Sequence, residues 1–362
     1  MRILQVIQKK QLRGAEVFAC QLSAHLVSLG HTVRVVSLQD GEAKLPFADE
    51  IPSLSVQLTR RFTDWSGWKA VAREVERFQP DLVQANAGDT LKYIVLSKMF
   101  FGWKAPIIFR NASMVSAYIK SSVIRHFNGF LLRKVSYIAS VSNASKTDLV
   151  RLFPAAANRI VVIPGGIEER TTVAMARQPG YSHLVHVGGF SFEKNHKGLL
   201  RIFRAVLDKK QGVRLWLVGD GPLRDEVETY ARELQVTGAV HFVGYQSNAL
   251  DYIASADAML LPSIIEGLPG VVLEAFYTRT PVIANNVGGI SELVENEKTG
   301  WLIEKHDEVA FGEAVLKVLD QPAHAKELAE RAHLRVQENY LNKDLAKKFV
   351  WLYEQLIYKP KT

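Results

Sequence analysis

The sequence predicts an α/β fold of two Rossmann-like parallel-sheet domains, and three observations support this prediction. Short β-branched or apolar runs alternate with amphipathic segments of helix length, a pattern typical of parallel sheets with right-handed helical crossovers. The chain has 362 residues, which is too long for one ordinary core and suits two domains. The alternation stops over residues 164–182, a stretch rich in Gly, Pro and Thr that indicates a linker.

These observations set the domain boundaries that we expect. An N-terminal domain covers residues 1–164, a linker covers 165–182, and a C-terminal domain covers 183–340. A helix within 341–362 closes the chain, and we expect it to pack back toward the N-terminal domain.

Each element of the N-terminal domain follows from its hydrophobic pattern. Gly30 stands where the first helix should end, because glycine adopts the left-handed conformation that terminates helices. The predicted strands are 2–8, 32–38, 81–85, 106–110, 137–141 and 160–163, and the predicted helices are 15–29, 65–78, 90–101, 122–134 and 144–152.

The C-terminal domain repeats the alternation. Its predicted strands are 184–187, 214–218, 240–243, 258–261 and 281–284, and its predicted helices are 197–207, 223–234, 248–255, 270–277, 308–319 and 324–337. The closing helix is predicted over 344–358. Ligands of open parallel sheets bind beyond the carboxyl ends of the strands. Two such domains facing each other would form a deep cleft, where we expect a ligand of medium size.

Composition points to a protein of a reducing compartment. The single cysteine, Cys20, excludes an intrachain disulfide framework and a CxxC metal site. Lys9, Lys10 and Arg13 follow the short apolar start, so we predict no signal peptide. No apolar run approaches the roughly 20 residues that span a bilayer. We therefore expect a cytoplasmic protein.

The positive charge is concentrated in the first half. Residues 1–165 carry 22 Lys and Arg against 11 Asp and Glu, whereas the whole chain has a net charge of +8. The segments 60–73 and 92–104 mix these cations with aromatic side chains. Two interpretations stay open: the aromatics pack in the core, or the segments lie on an anionic bilayer as a peripheral membrane surface.

Several chemistries lack their motifs. No GxGxxG follows a predicted strand, no GxxxxGK occurs, and no HExxH or other metal-ligand spacing is present. The isoelectric point of 9.4 suits nucleic acid, but no motif supports that partner. A dinucleotide-dependent redox enzyme, a P-loop NTPase and a zinc hydrolase are therefore disfavoured.

The most informative segment follows the predicted strand 258–261. A loop carries Glu266, and a helix begins near Gly270 with Glu274 expected in its first turn. A helix start offers free N–H groups and the positive end of the helix dipole, which suit a diphosphate or sugar hydroxyls. A carboxylate that accepts a hydrogen bond from a hydroxyl contributes on the order of 1.5–3 kcal/mol.

This segment resembles a known signature. The frame EGLPGVVLEA after a strand ending in LLPS is similar to that of the retaining GT-B glycosyltransferases of glycosyltransferase family 4. The resemblance extends along the chain through RGAE, VSNASKTDL, VIPGGIE, LVGDGPLRDEVE, VHFVGY and TGWLI. It implies a GT-B fold and metal-independent, retaining transfer from a nucleotide-diphosphate sugar, as in bacterial polysaccharide or lipopolysaccharide synthesis.

The resemblance also implies roles for individual residues. Glu274 would hold the ribose hydroxyls of the donor, and Glu266 would contact the donor sugar near its reacting carbon. Gly14 would let the backbone approach the diphosphate. Main-chain contacts to the sugar, phosphate or base are implied for Gly267, Leu268, Pro269, Gly270 and, at the base, Tyr245.

The cations that neutralise the leaving diphosphate are only partly present. Lys194 aligns with the family lysine, in the stretch that also includes Gly188. The family arginine falls on Gly189, which is the clearest departure. Lys197 or a cation elsewhere substitutes, or the enzyme is impaired. The family needs no metal, cofactor or side-chain nucleophile, because the leaving phosphate takes the acceptor proton.

The acceptor site is less defined. Asn86, Arg110 and Asn111 stand at the carboxyl ends of predicted strands and are candidates by location alone, with structural roles equally open. We expect a glycan or lipid-linked acceptor. Two other functions remain open: a nucleotide-sugar 2-epimerase, and a catalytically impaired nucleotide-sugar-binding partner subunit.

Overall fold

Two units, each built on a six-stranded parallel sheet, make up the fold in a computed structural model that describes residues 1–60 and 62–358. Unit 1 comprises Met1–Glu168 together with the chain from Asn342 onward, and unit 2 comprises Glu169–Leu341. The predicted α/β class with two parallel sheets is confirmed. Arg61 of the basic segment 60–73, and residues 359–362 of the predicted C-terminal segment, lie outside the described residues.

The sheet of unit 1 has the order β2-β1-β3-β4-β5-β6. Its strands are β1 (Arg2–Lys9), β2 (Thr32–Gln39), β3 (Leu82–Ala85), β4 (Ile107–Asn111), β5 (Tyr137–Ser140) and β6 (Ile160–Val162). The chain turns from β1 to β2 on one side and to β3 on the other. The strand order therefore reverses between β1 and β3, and the carboxyl ends of these strands mark the edge where such sheets bind ligands.

Helices cover both faces of this sheet. They are α1 (Gly14–Ser28), α2 (Trp65–Phe78), α3 (Gly88–Phe101), α4 (Ser122–Arg133) and α5 (Asn143–Leu152). Side-chain oxygens cap several of them, as in α2, where Asp64 accepts from the Gly67 amide at 2.8 Å. Gly30 has φ +85° just after α1, as the sequence predicts. Cys20 is fully buried, and this burial raises the pKa of its thiol to about 12.

Unit 2 repeats the architecture with the order β12-β11-β10-β7-β8-β9. Its strands are β7 (Ser182–Val187), β8 (Val213–Val218), β9 (Val240–Gly244), β10 (Ala258–Leu261), β11 (Val282–Asn285) and β12 (Trp301–Ile303). The order reverses between β7 and β10. The strand β12 was not predicted, because three residues are too few to show a period.

The helices of unit 2 agree closely with the expected segments. They are α6 (His196–Lys209), α7 (Arg224–Glu233), α8 (Ala249–Ala254), α9 (Gly270–Tyr277), α10 (Ile290–Leu293), α11 (Glu308–Asp320) and α12 (Pro322–Asn339). Among the described residues, no helix combines the length and the apolar character that crossing a bilayer requires.

The last helix, α13 (Asn342–Ile357), belongs to unit 1. It packs on α1, with the rings of Phe349 and Phe18 6.0 Å apart. The Asn342 amide donates to the Ile167 carbonyl at 3.0 Å, and its side chain donates to Glu168 at 2.7 Å. The chain therefore leaves and re-enters unit 1 at neighbouring residues.

The segment expected to be a linker, 165–182, is not free of either unit. Residues 165–168 cluster with unit 1 and the remainder with unit 2. Backbone amides of the latter part are held by unit 2 side chains: Val173 N–H donates to Asp251 at 2.8 Å, and Met175 N–H donates to Ser255 at 2.8 Å. The prediction missed these contacts because backbone donors leave no trace in a hydrophobic pattern.

Candidate functional site

A charged pair lies where the strand order of unit 2 reverses. Lys194 ends a short 3-10 helix (Phe192–Lys194) after β7, and Glu266 lies in the loop after β10. The Lys194 Nζ is 2.6 Å from Glu266 Oε1, and the two side chains are 20% and 10% exposed. Nζ has three protons, so the ammonium can bind phosphate oxygens while it keeps Glu266.

Hydrogen bonds between the two loops fix this pair. The Ile264 amide donates to the Glu193 carbonyl at 2.8 Å. Asn195 donates to the Pro262 carbonyl at 3.1 Å, and Asn285 of β11 donates to the Ser263 carbonyl at 3.2 Å. Neither asparagine stands out in the sequence as a site residue. The available signal was an asparagine just before a helix, since Asn195 has φ +53° and caps α6 at Gly198.

Gly288 supports the same loop from a neighbouring turn. Its φ is +56°, and a Cβ placed on it would lie 1.7 Å from the Glu266 carbonyl oxygen. The next amide, that of Gly289, donates to the Gly267 carbonyl at 3.0 Å. Only glycine allows the two backbones to approach this closely. The glycine pair in NNVGGI was the signal that sequence reasoning did not use.

Glu274 is the fifth residue of α9 and lies in its second turn, so the expectation of a first-turn position is wrong. The helix begins at Gly270 and not earlier, because Pro269 still has the extended conformation that precedes a helix. Desolvation raises the pKa of Glu274 to about 7, and the charge of Arg170 opposes this shift. No hydrogen bond from a described residue reaches its carboxylate, which can therefore accept hydroxyl groups of a ligand.

The start of α9 is open to a ligand. Pro269 supplies no side-chain cap, so the first amides of the helix have no capping partner from that residue. Gly270 is exposed, and a Cβ on it would meet nothing within 4 Å. Gly267 is buried and Leu268 is half-buried. The loop 267–270 therefore presents its backbone beside Glu266.

The predicted residues around Gly188 divide into two groups. A Cβ on Gly188 would lie 3.3 Å from the Lys194 side chain, whereas one on Gly189 would make ordinary contact, 3.6 Å from the Asp220 carbonyl. Lys197 does not join Lys194: its Nζ lies 2.5 Å from Glu226 on α7. The structure thus pairs Lys197 with an exposed carboxylate of the neighbouring helix.

Arg224 is a cation that our sequence analysis did not single out. It follows the loop after β8, and its Nη1 lies 3.4 Å from Asp220 Oδ2. A Cβ on Gly244, at the end of β9, would lie 3.3 Å from Nη1. Tyr245 follows Gly244 and is half exposed, and desolvation raises the pKa of its hydroxyl.

Two buried histidines lie behind Lys194. The Nδ1–H of His186 on β7 donates to the Leu260 carbonyl at 2.8 Å, and the His186 ring is 4.8 Å from that of His196. Burial lowers the pKa of His186 to about 4 and that of His196 to about 2. Both rings are therefore neutral at physiological pH.

The predicted residues of unit 1 have different environments. Gly14 begins α1, and a Cβ on it would meet nothing within 4 Å. For Asn86 and Asn111, acceptor contact and a structural role were equally open, and burial favours the structural role, since each residue is 1% exposed. The reason is pairing within the sheet: the Asn86 amide donates to Gln5 at 2.9 Å, and that of Asn111 donates to Ser140 at 3.2 Å. Arg110 is buried without such partners.

Comparison with known proteins agrees with this architecture. The family described as Glycosyltransferase Family 4 matches residues 12–170, and the family described as glycosyl transferases group 1 matches residues 172–335. A structure of HepE from Anabaena in complex with UDP-glucose has a TM-score of 0.84 at 18% identity and covers 98% of this chain and 99% of that chain. The GT-B fold implied by the resemblance is confirmed.

Curated relatives match over part of their length. A glycogen synthase of Mycobacterium tuberculosis is 29% identical over 235 residues, which are 64% of this chain and 56% of the relative. The lipopolysaccharide core biosynthesis glycosyltransferase LpsD of Rhizobium meliloti is 28% identical over 176 residues, 49% of this chain and 50% of the relative. The chain thus spans about half the length of these curated relatives.

Two Rossmann-like units with a charged pair at the reversal point of the second sheet define a GT-B protein. Two family matches, which together account for nearly all of residues 12–335, make the assignment more specific. Residues 12–170 match the Glycosyltransferase Family 4 model and residues 172–335 match the glycosyl transferases group 1 model, so both parts of the chain are similar to glycosyltransferases.

Proposed function

We propose that this chain transfers a sugar from a nucleotide-diphosphate sugar to a glycan or lipid-linked acceptor, with retention of the anomeric configuration. The observation that carries the proposal is the Lys194–Glu266 pair, held at 2.6 Å beside the open start of α9. A cation, a carboxylate and free amides at one sheet edge suit a sugar attached to a diphosphate.

The donor is proposed to bind across this edge. Glu274 accepts the ribose hydroxyls, for which its carboxylate has no competing donor among the described residues. The amides at the start of α9 and the Lys194 ammonium bind phosphate oxygens. Glu266 holds the sugar hydroxyls and keeps Lys194 in place. UDP-sugars are the first donors to test, because HepE was solved with UDP-glucose.

The proposed reaction takes place on one face of the sugar. The bond from the anomeric carbon to the diphosphate oxygen breaks, and a bond to the acceptor oxygen forms on the same face. The leaving phosphate oxygen takes the acceptor proton, so no side-chain base is required. Lys194 stabilises the charge that develops on the diphosphate, and one such donor is worth on the order of 10²–10³ in turnover.

A second cation is proposed to assist at the position of the missing family arginine. Arg224 suits this role better than Lys197, because Asp220 links it to Gly189: the Asp220 carboxylate is 3.4 Å from Arg224, and the Asp220 carbonyl is 3.6 Å from a Cβ at Gly189. Both cations have carboxylate partners, Glu228 at 2.8 Å from Arg224 and Glu226 at 2.5 Å from Lys197, so the link through Asp220 is what favours Arg224. Arg224→Met should then lower turnover more than Lys197→Met does.

Metal independence is part of the proposal. Within residues 1–60 and 62–358, no three His, Cys, Asp or Glu side chains cluster as metal ligands. The cations of the chain supply the positive charge instead. Turnover in EDTA should equal turnover without it, and activity restored only by Mg²⁺ or Mn²⁺ would contradict this part.

The acceptor is proposed to be a glycan or lipid-linked saccharide of cell-surface polysaccharide or lipopolysaccharide synthesis. LpsD, a relative at 28% identity, is named for lipopolysaccharide core biosynthesis. Exposed aromatic side chains on unit 1 suit binding to a bilayer surface. Trp68 is buried, but Trp65 and Phe100 pack against it and are 52% and 51% exposed.

Peripheral membrane association on the cytoplasmic side is part of the proposal, and the exposed aromatics and the positive charge of residues 1–165 support it. Vesicle co-sedimentation tests it. Binding should rise with the fraction of anionic lipid and fall with salt, and Trp65→Ser should weaken it. Binding that is indifferent to lipid charge and to salt would count against it.

The donor proposal is tested by a thermal-shift screen of nucleotide sugars followed by Glu274→Ala. The variant should stay folded and lose most of its donor affinity. Glu313→Ala, which removes an exposed carboxylate of α11, is the matched control and should bind as wild type does. Unchanged affinity in Glu274→Ala would refute the assignment. Donor binding without transfer to any acceptor would favour the partner subunit, and epimer formation without acceptor would favour the epimerase.

A further inference from the structure

Unit 1 contains a buried arginine that its own fold does not satisfy. Arg110 is the fourth residue of β4 and is 5% exposed. Its guanidinium lies over the ring of Phe18 from α1, 4.1 Å from the ring centre. The Nε and Nη1 atoms are buried and have no hydrogen-bond partner among the described residues.

No carboxylate of the described chain neutralises this guanidinium at contact distance. Glu16, in the first turn of α1, is near enough to influence Arg110, but no ion pair joins them. The Glu16 carboxyl instead accepts a hydrogen bond from Gln11 at 3.0 Å. Burial raises the pKa of Glu16, which favours its neutral form. Burial lowers the pKa of Arg110 to about 10, so the guanidinium is charged at neutral pH.

Gly165 adjoins the outer side of the guanidinium. A Cβ placed on Gly165 would lie 3.5 Å from Nη2 and 3.8 Å from Phe18, so a larger residue at position 165 would cover this nitrogen. The guanidinium is therefore held by an aromatic face on one side and bordered by a glycine, with no side chain, on the other.

A buried charge without a partner is unfavourable, and a cation–π contact offsets only part of this cost. A chain that merely needed to fill the space would be served by an apolar side chain. Arginine, whose planar fork matches two oxygens of one phosphate group, suits an oxyanion ligand. The side-chain amide nitrogens of Asn86 and Asn111, at neighbouring strand ends, by contrast donate within the sheet, although the Asn111 Oδ1 has no partner among the described residues.

We propose that Arg110, flanked by Phe18 and Gly165, binds a phosphate group of a substrate. The inference rests on the proposed function in one respect, which is the identity of the substrate that carries the phosphate. Two sources share this chemistry: a phosphorylated or diphosphate-linked acceptor, and the diphosphate of the donor. The acceptor is favoured because unit 2 has its own cation and open helix start for the donor.

The test measures stabilisation by inorganic phosphate and by UDP, using thermal shift and calorimetry on the full chain. Arg110→Met removes the charge at similar length, and Arg110→Lys keeps the charge without the fork. Lys134→Met is the matched control, since Lys134 also lies over an aromatic ring, that of Phe130, but on the surface. Lys194→Met reports phosphate bound at the site of unit 2.

In the wild type and in Lys134→Met, phosphate should raise the melting temperature. In Arg110→Met, phosphate affinity should fall at least about tenfold, while the ligand-free melting temperature stays equal or rises because an unpaired charge is removed. Arg110→Lys should be intermediate, which keeps the test valid if the Met variant does not fold. Unchanged phosphate binding in both variants, or none in the wild type, overturns the proposal.

The measurements with UDP distinguish the two possible sources of the phosphate group, the acceptor and the donor. If the phosphate belongs to the acceptor, Arg110→Met binds UDP as the wild type does, and Lys194→Met does not. If UDP binding also falls in Arg110→Met, the site serves the donor diphosphate. Loss of UDP binding in Glu274→Ala belongs to the proposed function alone, so failure of one proposal is distinguishable from failure of the other.

Discussion

Charged side chains at the strand ends of the two units differ in whether they have a partner of opposite charge. In unit 2, Lys194 and Glu266 neutralise each other at 2.6 Å before any ligand binds. In unit 1, Arg110 is buried with no carboxylate in contact among the described residues. A paired site can open toward a ligand at small cost, whereas an unpaired buried cation gains most when an anion arrives. By this comparison, the charged pair of unit 2 suits chemistry on a bound donor, whereas Arg110 of unit 1 suits recognition of an anion.

The largest expected effect breaks the paired site. Lys194→Met removes the charge that we propose stabilises the leaving diphosphate, and it leaves Glu266 without its partner. Turnover should fall by about 10²–10³. Steady-state kinetics with the donor found by screening would measure it. Lys209→Met, on the exposed end of α6, is the charge-matched control, and equal losses in both variants would contradict the role of Lys194.

The next effect concerns the loop that carries Glu266. Gly288→Ala places a Cβ 1.7 Å from the Glu266 carbonyl oxygen and strains a positive φ. The free energy of unfolding should fall by about 1–3 kcal/mol, and turnover should fall with it. Denaturant titration measures the first. Gly312→Ala in α11 meets nothing within 4 Å and should be neutral or stabilising.

Glu274 makes a prediction about pH. Its pKa is raised from 4.5 to about 7, so its contribution to stability is complete below 4.5 and is lost as the pH rises through about 7. Glu274→Gln should therefore be more stable than wild type at pH 8, as calorimetry would record.

Donor binding should show the opposite trend, because hydroxyls bind the ionised carboxylate. Wild-type donor affinity should fall by up to about tenfold per pH unit below pH 7. The Gln variant should bind weakly and without this dependence. A wild-type affinity that is constant between pH 5.5 and 8 would contradict the ribose role.

The smallest expected effect tests whether Arg224 already takes the place of the family arginine that is missing at Gly189. Gly189→Arg restores the residue type of the family, and a Cβ there makes ordinary contact at 3.6 Å. Folding stability should change by no more than about 0.5 kcal/mol. If Arg224 already fills the role, turnover should stay near wild type, and a large gain in turnover would show that the role was unfilled.

The sequence predicts the sheets well because alternation depends on local patterns. The strand 258–261 and the helix 270–277 have the predicted bounds. Contacts between distant segments are harder. Lys194 and Glu266 are separated by 72 positions, and nothing in either segment encodes their 2.6 Å contact. Arg110 is likewise buried against Phe18, which is far away in the sequence. The sequence therefore identifies Arg110 as a candidate only by its position at a strand end, and it does not predict that the guanidinium is buried.

The return of α13 to unit 1 has a consequence for synthesis on the ribosome. Unit 2 is inserted between Glu168 and Asn342, and the two insertion points are joined by the hydrogen bond from Asn342 to Ile167. Unit 2 can therefore finish folding while the core of unit 1 still lacks Phe349, Leu352 and Tyr353. Unit 1, whose first strands are translated before unit 2, completes its core last, so a truncation within α13 would damage a unit that began to fold first.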